Sequence, residues 1–236
     1  GNHESALAKY TEILNVMRAI EQERGTPESR RDVSVLLDKV AGIELLLGKH
    51  ESALAKYTEI LDIRRALKQE LGTPESRRDV NISLDNVAGI ELQLGNHESA
   101  LAKYTESLDI ARALEQELGT PESRRDVSVS LGNVADIELQ LGNHESALAK
   151  YTESLDIARA LEQELGTPES RRDVSESLIN VADIELLLGK HESALAKYTE
   201  SLDIGRALEQ ELGTPASRRD VSVSLNKVAG IELQLG

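Results

Sequence analysis

Five histidines, five glutamates and a series of arginine pairs recur at regular intervals along this 236-residue sequence, and each set has side chains able to do chemistry. His3, His50, His97, His144 and His191 stand 47 residues apart. Imidazole serves as a metal ligand and as a general acid or base. One histidine per stacked unit, however, puts neighbouring rings at least one helix-packing step apart, about 8–10 Å, too far to share an ion. These histidines read as solvated residues at helix starts. Glu44, Glu91, Glu138, Glu185 and Glu232 fall on an apolar stripe, where a carboxylate without a partner is costly to bury. A lysine or tyrosine partner, or partial exposure at a turn, accounts for them better than catalysis. The pairs Arg77-Arg78 and Arg124-Arg125 could clamp a carboxylate or phosphate. With Glu75 and Asp79 beside the first pair, neutralisation of neighbouring acids is the simpler role. The Gly-Thr-Pro segments lack the glycine–lysine spacing of a phosphate loop, and the sequence has neither a nucleophile elbow nor a His-Glu-x-x-His motif. The expectation is a protein with no catalytic residues, no cofactor and no metal.

The elements that must hold these residues follow from the repeat. Gly-(Asn/Lys)-His-Glu-Ser-Ala-Leu-Ala-Lys-Tyr-Thr-Glu begins at Gly1, Gly48, Gly95, Gly142 and Gly189, and Gly-Thr-Pro-(Glu/Ala)-Ser-Arg-Arg-Asp-Val begins at Gly25, Gly72, Gly119, Gly166 and Gly213. Both signatures keep the 47-residue period, giving units 1–47, 48–94, 95–141, 142–188 and 189–235 within one array over 1–236. Units 3 and 4 differ only at Val129/Glu176, Gly132/Ile179 and Gln140/Leu187.

Each unit is punctuated into two helices. Thr73 followed by Pro74 reads as an N-cap and first helical residue, and Gly95 can close that helix in the left-handed conformation. This helix A runs over about Pro74 to Leu94. Asn96 is expected to cap helix B, which continues to Leu118 before Gly119, while Lys49 and Lys190 supply poorer caps. Each helix is about 30 Å long. Leu101, Tyr104, Leu108, Ala111, Leu114 and Leu118 form one stripe of helix B, and Val80, Leu84, Val87, Ala88 and Leu94 a comparable stripe of helix A. One hairpin cannot bury both stripes, so the units must stack. The sequence predicts an all-α fold, a right-handed α-α superhelical solenoid of antiparallel helix pairs in five 47-residue repeats.

Composition agrees. The apolar set is Leu, Ile, Val and Ala with five Tyr and no Phe or Trp, which suits thin helical layers. A formal charge of −15 repels phosphate backbones and anionic lipid, so neither nucleic acid nor membrane is an expected partner. No apolar run reaches the length of a membrane span, and Gly1-Asn2-His3-Glu4 carries neither a basic leader nor a hydrophobic segment. Without cysteine there is no disulfide, and cytoplasm is the default location.

From Leu131 to Leu155 the chain reads Leu-x-x-Val-Ala-x-Ile-x-x-x-Leu-Gly-x-x-x-x-Ala-Leu-x-x-Tyr-x-x-x-Leu. This resembles the tetratricopeptide repeat, in particular its longer bacterial and kinesin-light-chain-like variants, and the resemblance covers the whole chain. Two features depart from it. Leu84, Leu131, Glu91 and Glu138 stand where the family usually has large aromatic residues, and the unit is longer than the common form of about 34 residues. The surplus reads as extension of both helices away from their shared turn.

Within helix A, much of the variation among the copies falls at four places. These are Val35, Ile82, Val129, Glu176 and Val223; Asp38, Asp85, Gly132, Ile179 and Asn226; Gly42, Gly89, Asp136, Asp183 and Gly230; and Leu46, Gln93, Gln140, Leu187 and Gln234. Spacings of 3, 4 and 4 put them on one helical face. The resemblance implies that this face lines a concave groove that binds partner peptides, and Asp38, Asp85, Asp136, Asp183 and Glu176 would favour a basic segment. Neutral drift at exposed positions would leave the same pattern. A second variable position, Met17, Arg64, Ala111, Ala158 and Gly205, lies on the stripe of helix B, where Arg64 is expected to snorkel to an edge.

The chain opens on helix B and closes on helix A. Leu7, Tyr10 and Leu14 of one molecule are expected to meet Leu235 of another, a head-to-tail self-association through uncapped ends. The sequence therefore carries two readings: a non-catalytic protein–protein interaction scaffold binding a peptide or protein segment, or a structural spacer that stacks end to end without a groove ligand.

Overall fold

The computed structural model describes residues 1–235. Among the described residues all regular structure is helical: α1 Asn2–Arg24, α2 Pro27–Leu46, α3 His50–Leu71, α4 Pro74–Gln93, α5 His97–Leu118, α6 Pro121–Gln140, α7 His144–Leu165, α8 Pro168–Leu187, α9 His191–Leu212 and α10 Pro215–Leu235. Odd-numbered helices are the B helices of the sequence and even-numbered ones the A helices. The chain divides into two compact units, Gly1–Glu117 and Leu118–Gly236.

Start and stop chemistry explains the boundaries. The hydroxyl of Thr26 accepts the backbone N–H of Ser29, and Thr73, Thr120 and Thr167 do the same for Ser76, Ser123 and Ser170. Ser29 returns the bond at 3.1 Å by accepting the Thr26 backbone N–H, a reciprocal box with Ser in place of the usual Glu. α2, α4, α6 and α8 close on glycines in the left-handed conformation. Gly95, at φ +80°, donates to the Leu92 carbonyl at 3.0 Å while Asn96 donates to that of Glu91 at 2.8 Å, the two bonds of a Schellman motif.

At Asn143, the counterpart of Asn96 in the next repeat, the expected cap is absent. Asn143 heads α7 with ψ 58°, not extended, and its side chain makes no cap hydrogen bond, the same situation as Lys49 before α3 and Lys190 before α9. The Schellman turn sets the backbone of this residue, so asparagine gains nothing over lysine there.

In the first unit, Leu14, Val33, Leu37, Tyr57, Ile60, Leu61, Val80, Leu84 and Val87 form a continuous core through α1 to α4. In the second, one cluster joins Ala147, Tyr151, Leu155, Leu178 and Val181, and another joins Ala182, Ala194, Tyr198 and Ile231. Along α5, Tyr104, Leu108, Ala111 and Leu114 are buried as the stripe predicts, whereas Leu118 is exposed.

One expectation about the first helix is corrected. Leu14 is not available to a second molecule: it is 3% exposed and belongs to the core of its own unit, with Leu7 and Tyr10 packed against that core. α1 turns its leucine stripe inward toward α2, and the large apolar residues it leaves exposed are Ile13 and Val16. Arg64 also differs from expectation. Instead of snorkelling to an edge it donates to the Asp79 carbonyl at 3.1 Å and to Ser83 Oγ at 3.0 Å.

Candidate functional site

The sets of residues that first suggested chemistry are ion pairs and helix starts. Each stripe glutamate of the first four units meets a lysine twelve residues on: Lys56 with Glu44, Lys103 with Glu91 and Lys150 with Glu138 at 2.8 Å, and Lys197 with Glu185 at 2.9 Å. The ammonium also donates to the serine one turn back, as Lys150 does to Ser146 at 2.9 Å. Arginines of these pairs also find acids, several of them in the next repeat, while Arg218 lies 3.6 Å from Glu209 of its own. Arg171 donates to Glu211 at 2.6 Å, Arg30, Arg77 and Arg124 to Glu70, Glu117 and Glu164, and Arg125 and Arg172 meet Asp173 and Asp220 at 3.0 Å. Within each compact unit these bonds tie successive repeats together. His50, His97, His144 and His191 open their helices, and among the described residues no group of three or more His, Cys, Asp or Glu converges.

The variable face of the A helices has a different character. In the first unit Val35, Leu46, Ile82 and Gln93 are exposed, with Asp38, Gly42, Asp85 and Gly89 half-buried beside them. In the second, Val129, Asp136, Gln140, Glu176, Leu187, Val223, Asn226, Gly230 and Gln234 are exposed, and Gly132, Ile179 and Asp183 half-buried. None of the twenty is buried. Ile179 packs partly against the apolar cluster of Tyr198 and Ile231.

The carboxylate on this face moves by one helical turn. Copies 1 and 2 carry Asp38 with Gly42 and Asp85 with Gly89, whereas copy 3 carries Gly132 with Asp136. Copy 4 has Ile179 with Asp183. The move has a chemical result, because a buried tyrosine of the following B helix reaches the second position. A Cβ added to Gly89 would stand 3.6 Å from the Tyr104 hydroxyl oxygen. Where aspartate replaces glycine, Tyr151 donates its hydroxyl to Asp136 Oδ1 and Tyr198 donates to Asp183 Oδ1. Burial, followed by these bonds and the aspartate charges, raises both phenol pKa values well above the ordinary 10. Tyr57 is also raised, by burial and then by the charge of Asp38 one turn away. Lys227 of α10 completes the arrangement at Asp183, donating at 2.6 Å to Oδ1 and 2.8 Å to Oδ2, with its Nζ 5.8 Å from the centroid of the Tyr198 ring.

The sequence pattern places the tyrosine of each copy on the stripe of helix B and singles out nothing at Lys227. The usable signal is the fixed offset of fifteen residues from the variable Gly/Asp position to a tyrosine present in every copy. Glu176, one more turn along the face, has its carboxyl raised by partial burial and then by Asp173 and Asp220, with Arg172 opposing.

A tetratricopeptide repeat profile matches residues 79–160 and 126–207, together more than half of the chain. The chain belongs to the tetratricopeptide repeat family. Solved structures of the same all-helical solenoid type include BtubC (BKLC) from P. vanneervenii, 16% identical with a TM-score of 0.63, the match covering 100% of this chain and 92% of that one. A Rap protein complexed with competence and sporulation factor is 16% identical with a TM-score of 0.57, covering 95% of this chain and 61% of that one. Yeast Hif1, described as a histone chaperone and a scaffold protein recruiting protein complexes to core histones, is 13% identical with a TM-score of 0.54, covering 87% and 97%. At these identities the likeness shows the shared fold. No curated protein matches the sequence. Among the described residues, no helix is long and apolar enough to cross a membrane.

Proposed function

We propose that this chain is a non-catalytic protein-interaction scaffold that holds a basic, extended or helical segment of a partner protein against the variable face of its A helices. The observation that carries this reading is the contrast between frame and face. Within the A helices the packed positions repeat almost without change, while all twenty positions of the variable face reach solvent and carry much of the variation of those helices. Structures of the same fold supply precedent, since a Rap protein is complexed with competence and sporulation factor and Hif1 is described as a scaffold. Acidic residues on the face of each unit, Asp38 and Asp85 in one and Asp136, Glu176 and Asp183 in the other, supply attraction for a cationic segment and a salt-dependent association rate.

A peptide array graded in lysine and arginine content, probed with the full chain and with a variant carrying serine at those five acids, tests the proposal. Basic peptides should bind the parent, weaken with added salt and lose most of their binding to the variant. Equal binding to both proteins, or binding indifferent to salt, overturns it. Sedimentation that shows concentration-dependent stacking with no peptide bound favours the spacer reading instead.

A further inference from the structure

The second unit contains a worked example of how this face holds an ammonium group. At Asp183, one carboxylate oxygen accepts both the Tyr198 hydroxyl and Lys227 Nζ, the other accepts Nζ alone, and the same nitrogen lies 5.8 Å from the Tyr198 ring centroid. The carboxylate supplies charge and two acceptor atoms, while the phenol holds it in place and offers the electron-rich face of its ring. Tyr198 is 1% exposed, so the pair is anchored in the core and does not need ordering when the cation arrives.

One repeat earlier the same pair exists without its cation. Tyr151, 5% exposed, donates to Asp136 Oδ1 as Tyr198 does to Asp183. The residue at the lysine's position is Asn180, which carries no charge. Asp136 itself is exposed. The charge of Asp183 also acts on Tyr151, so the local field favours a cation further. At the remaining copies of this position, Gly42, Gly89 and Gly230, there is no carboxylate. Among the described residues the Asp–Tyr pair occurs at Asp136 and Asp183, and at Asp183 the lysine already fills it.

We propose that Asp136 and Tyr151 form the receiving site for one lysine ammonium of the bound partner, in the geometry that Lys227 adopts at Asp183 and Tyr198. The proposal rests on the reading of the A-helix face as the interaction surface, and names where on it a positive residue is read. The ligand contributes the ammonium; the protein contributes two carboxylate oxygens and an aromatic ring, already joined by a hydrogen bond.

The full chain labelled with 13C in its tyrosine rings, titrated with Nα-acetyl-lysine N-methylamide and followed by NMR, tests this directly. The Tyr151 signal should shift saturably, and the Nε-acetylated probe should leave it unmoved. Asn180→Lys should fill the site from within as Lys227 does, weakening the probe by about tenfold, the effect of one charged hydrogen bond. Lys227→Asn should add a second, similar response at Tyr198. Asp136→Gly, which recreates the arrangement around Gly89 that the chain already folds with, should abolish the Tyr151 response. A Tyr151 signal indifferent to the probe, or equally responsive to the acetylated probe or in Asn180→Lys, overturns the proposal. Peptide binding to the A helices that persists alongside an unresponsive Tyr151 refutes this site and leaves the interaction surface standing. Loss of peptide binding with Tyr151 still responsive does the reverse.

Discussion

At the scale of single residues, the ionisable groups sort into those that hold repeats together and those that face outward. The Lys–Glu pairs belong to the first kind. Glu138 sits at 13% side-chain exposure with Lys150 as its partner, whereas Arg159 and Glu200, 2.8 Å apart, are both close to half-exposed. Removing the lysine leaves a largely desolvated carboxylate unpaired, so Lys150→Ala should cost about 1–3 kcal/mol. Arg159→Ala removes a pair that water already screens and should cost about 0–1 kcal/mol. Urea unfolding of the two variants checks the contrast, and equal losses would refute it. The tyrosines add a pH dependence. A phenol whose folded pKa is raised above its unfolded value adds stability that is complete below about pH 10 and is lost as pH climbs through the folded value. Tyr151 and Tyr198 should therefore stay protonated past pH 10, and Asp136→Gly should let Tyr151 ionise at lower pH, read as phenolate absorbance. An unchanged titration would show that the Asp136 hydrogen bond does not act on the phenol. The lysine partners of the stripe glutamates were foreseeable, because a carboxylate on a buried stripe demands one. The Asp–Tyr bond was not, because it spans fifteen residues across a turn and depends on how deep the A helix sits against the B helix.

At the scale of the element, sequence rules succeed where local chemistry decides and fail where the preceding turn decides. Thr-Pro starts and glycine stops were legible because a hydroxyl N-cap and a left-handed glycine act within a few residues. The Asn cap was misjudged for the opposite reason. The Schellman bond from Asn143 N–H to the Glu138 carbonyl, 2.8 Å, sets its backbone before its side chain can choose, and the extended conformation an N-cap needs is not reached. The stabilities of the two helix starts should differ accordingly. Thr167→Val removes an acceptor used by the Ser170 N–H at 3.2 Å and should cost about 1 kcal/mol, while Asn143→Ala, with no cap bond to lose, should fall within about 0.5 kcal/mol of the parent. Thermal melts of the two single variants decide it. A loss for Asn143→Ala as large as for Thr167→Val would mean that the asparagine side chain does cap α7. Register between helices follows a similar division. The stripes predicted which residues are buried, but not the polar seam beside them, where Asn81 donates at 2.8 Å to the Ser107 carbonyl and Ser128 meets Ser154 at 2.7 Å. Those contacts recur at an offset of 26 residues, from an A helix to the B helix that follows it.

At the scale of the whole molecule, stability resides in neighbour contacts, and this makes the repeat the unit of deletion. Every long-offset ion pair described above joins residues between 12 and 48 positions apart, so each helix is tied to helices one or two places away along the chain. Deleting residues 142–188 removes one copy and joins Leu141 to Gly189, producing the Leu-Gly-Lys-His sequence already present at Leu47 to His50. The new junction keeps every offset, because Glu138 recovers a lysine twelve positions on in Lys197 and Arg124 recovers an acid in Glu211. A nearest-neighbour array loses one repeat and one interface by this change, so the shortened chain should stay folded with the same helical signal per residue, a lower urea midpoint and an m value smaller by about one fifth. Deleting residues 142–165 alone removes α7 but keeps α8, and the side chains of Leu178 and Val181 then lose Tyr151 and Leu155 from their shared cluster. That shorter deletion should cost more cooperativity than the longer one, seen as a broader transition and binding of a hydrophobic dye. If the larger deletion proves the more damaging of the two, stability is not carried repeat by repeat, and the nearest-neighbour account of this fold fails.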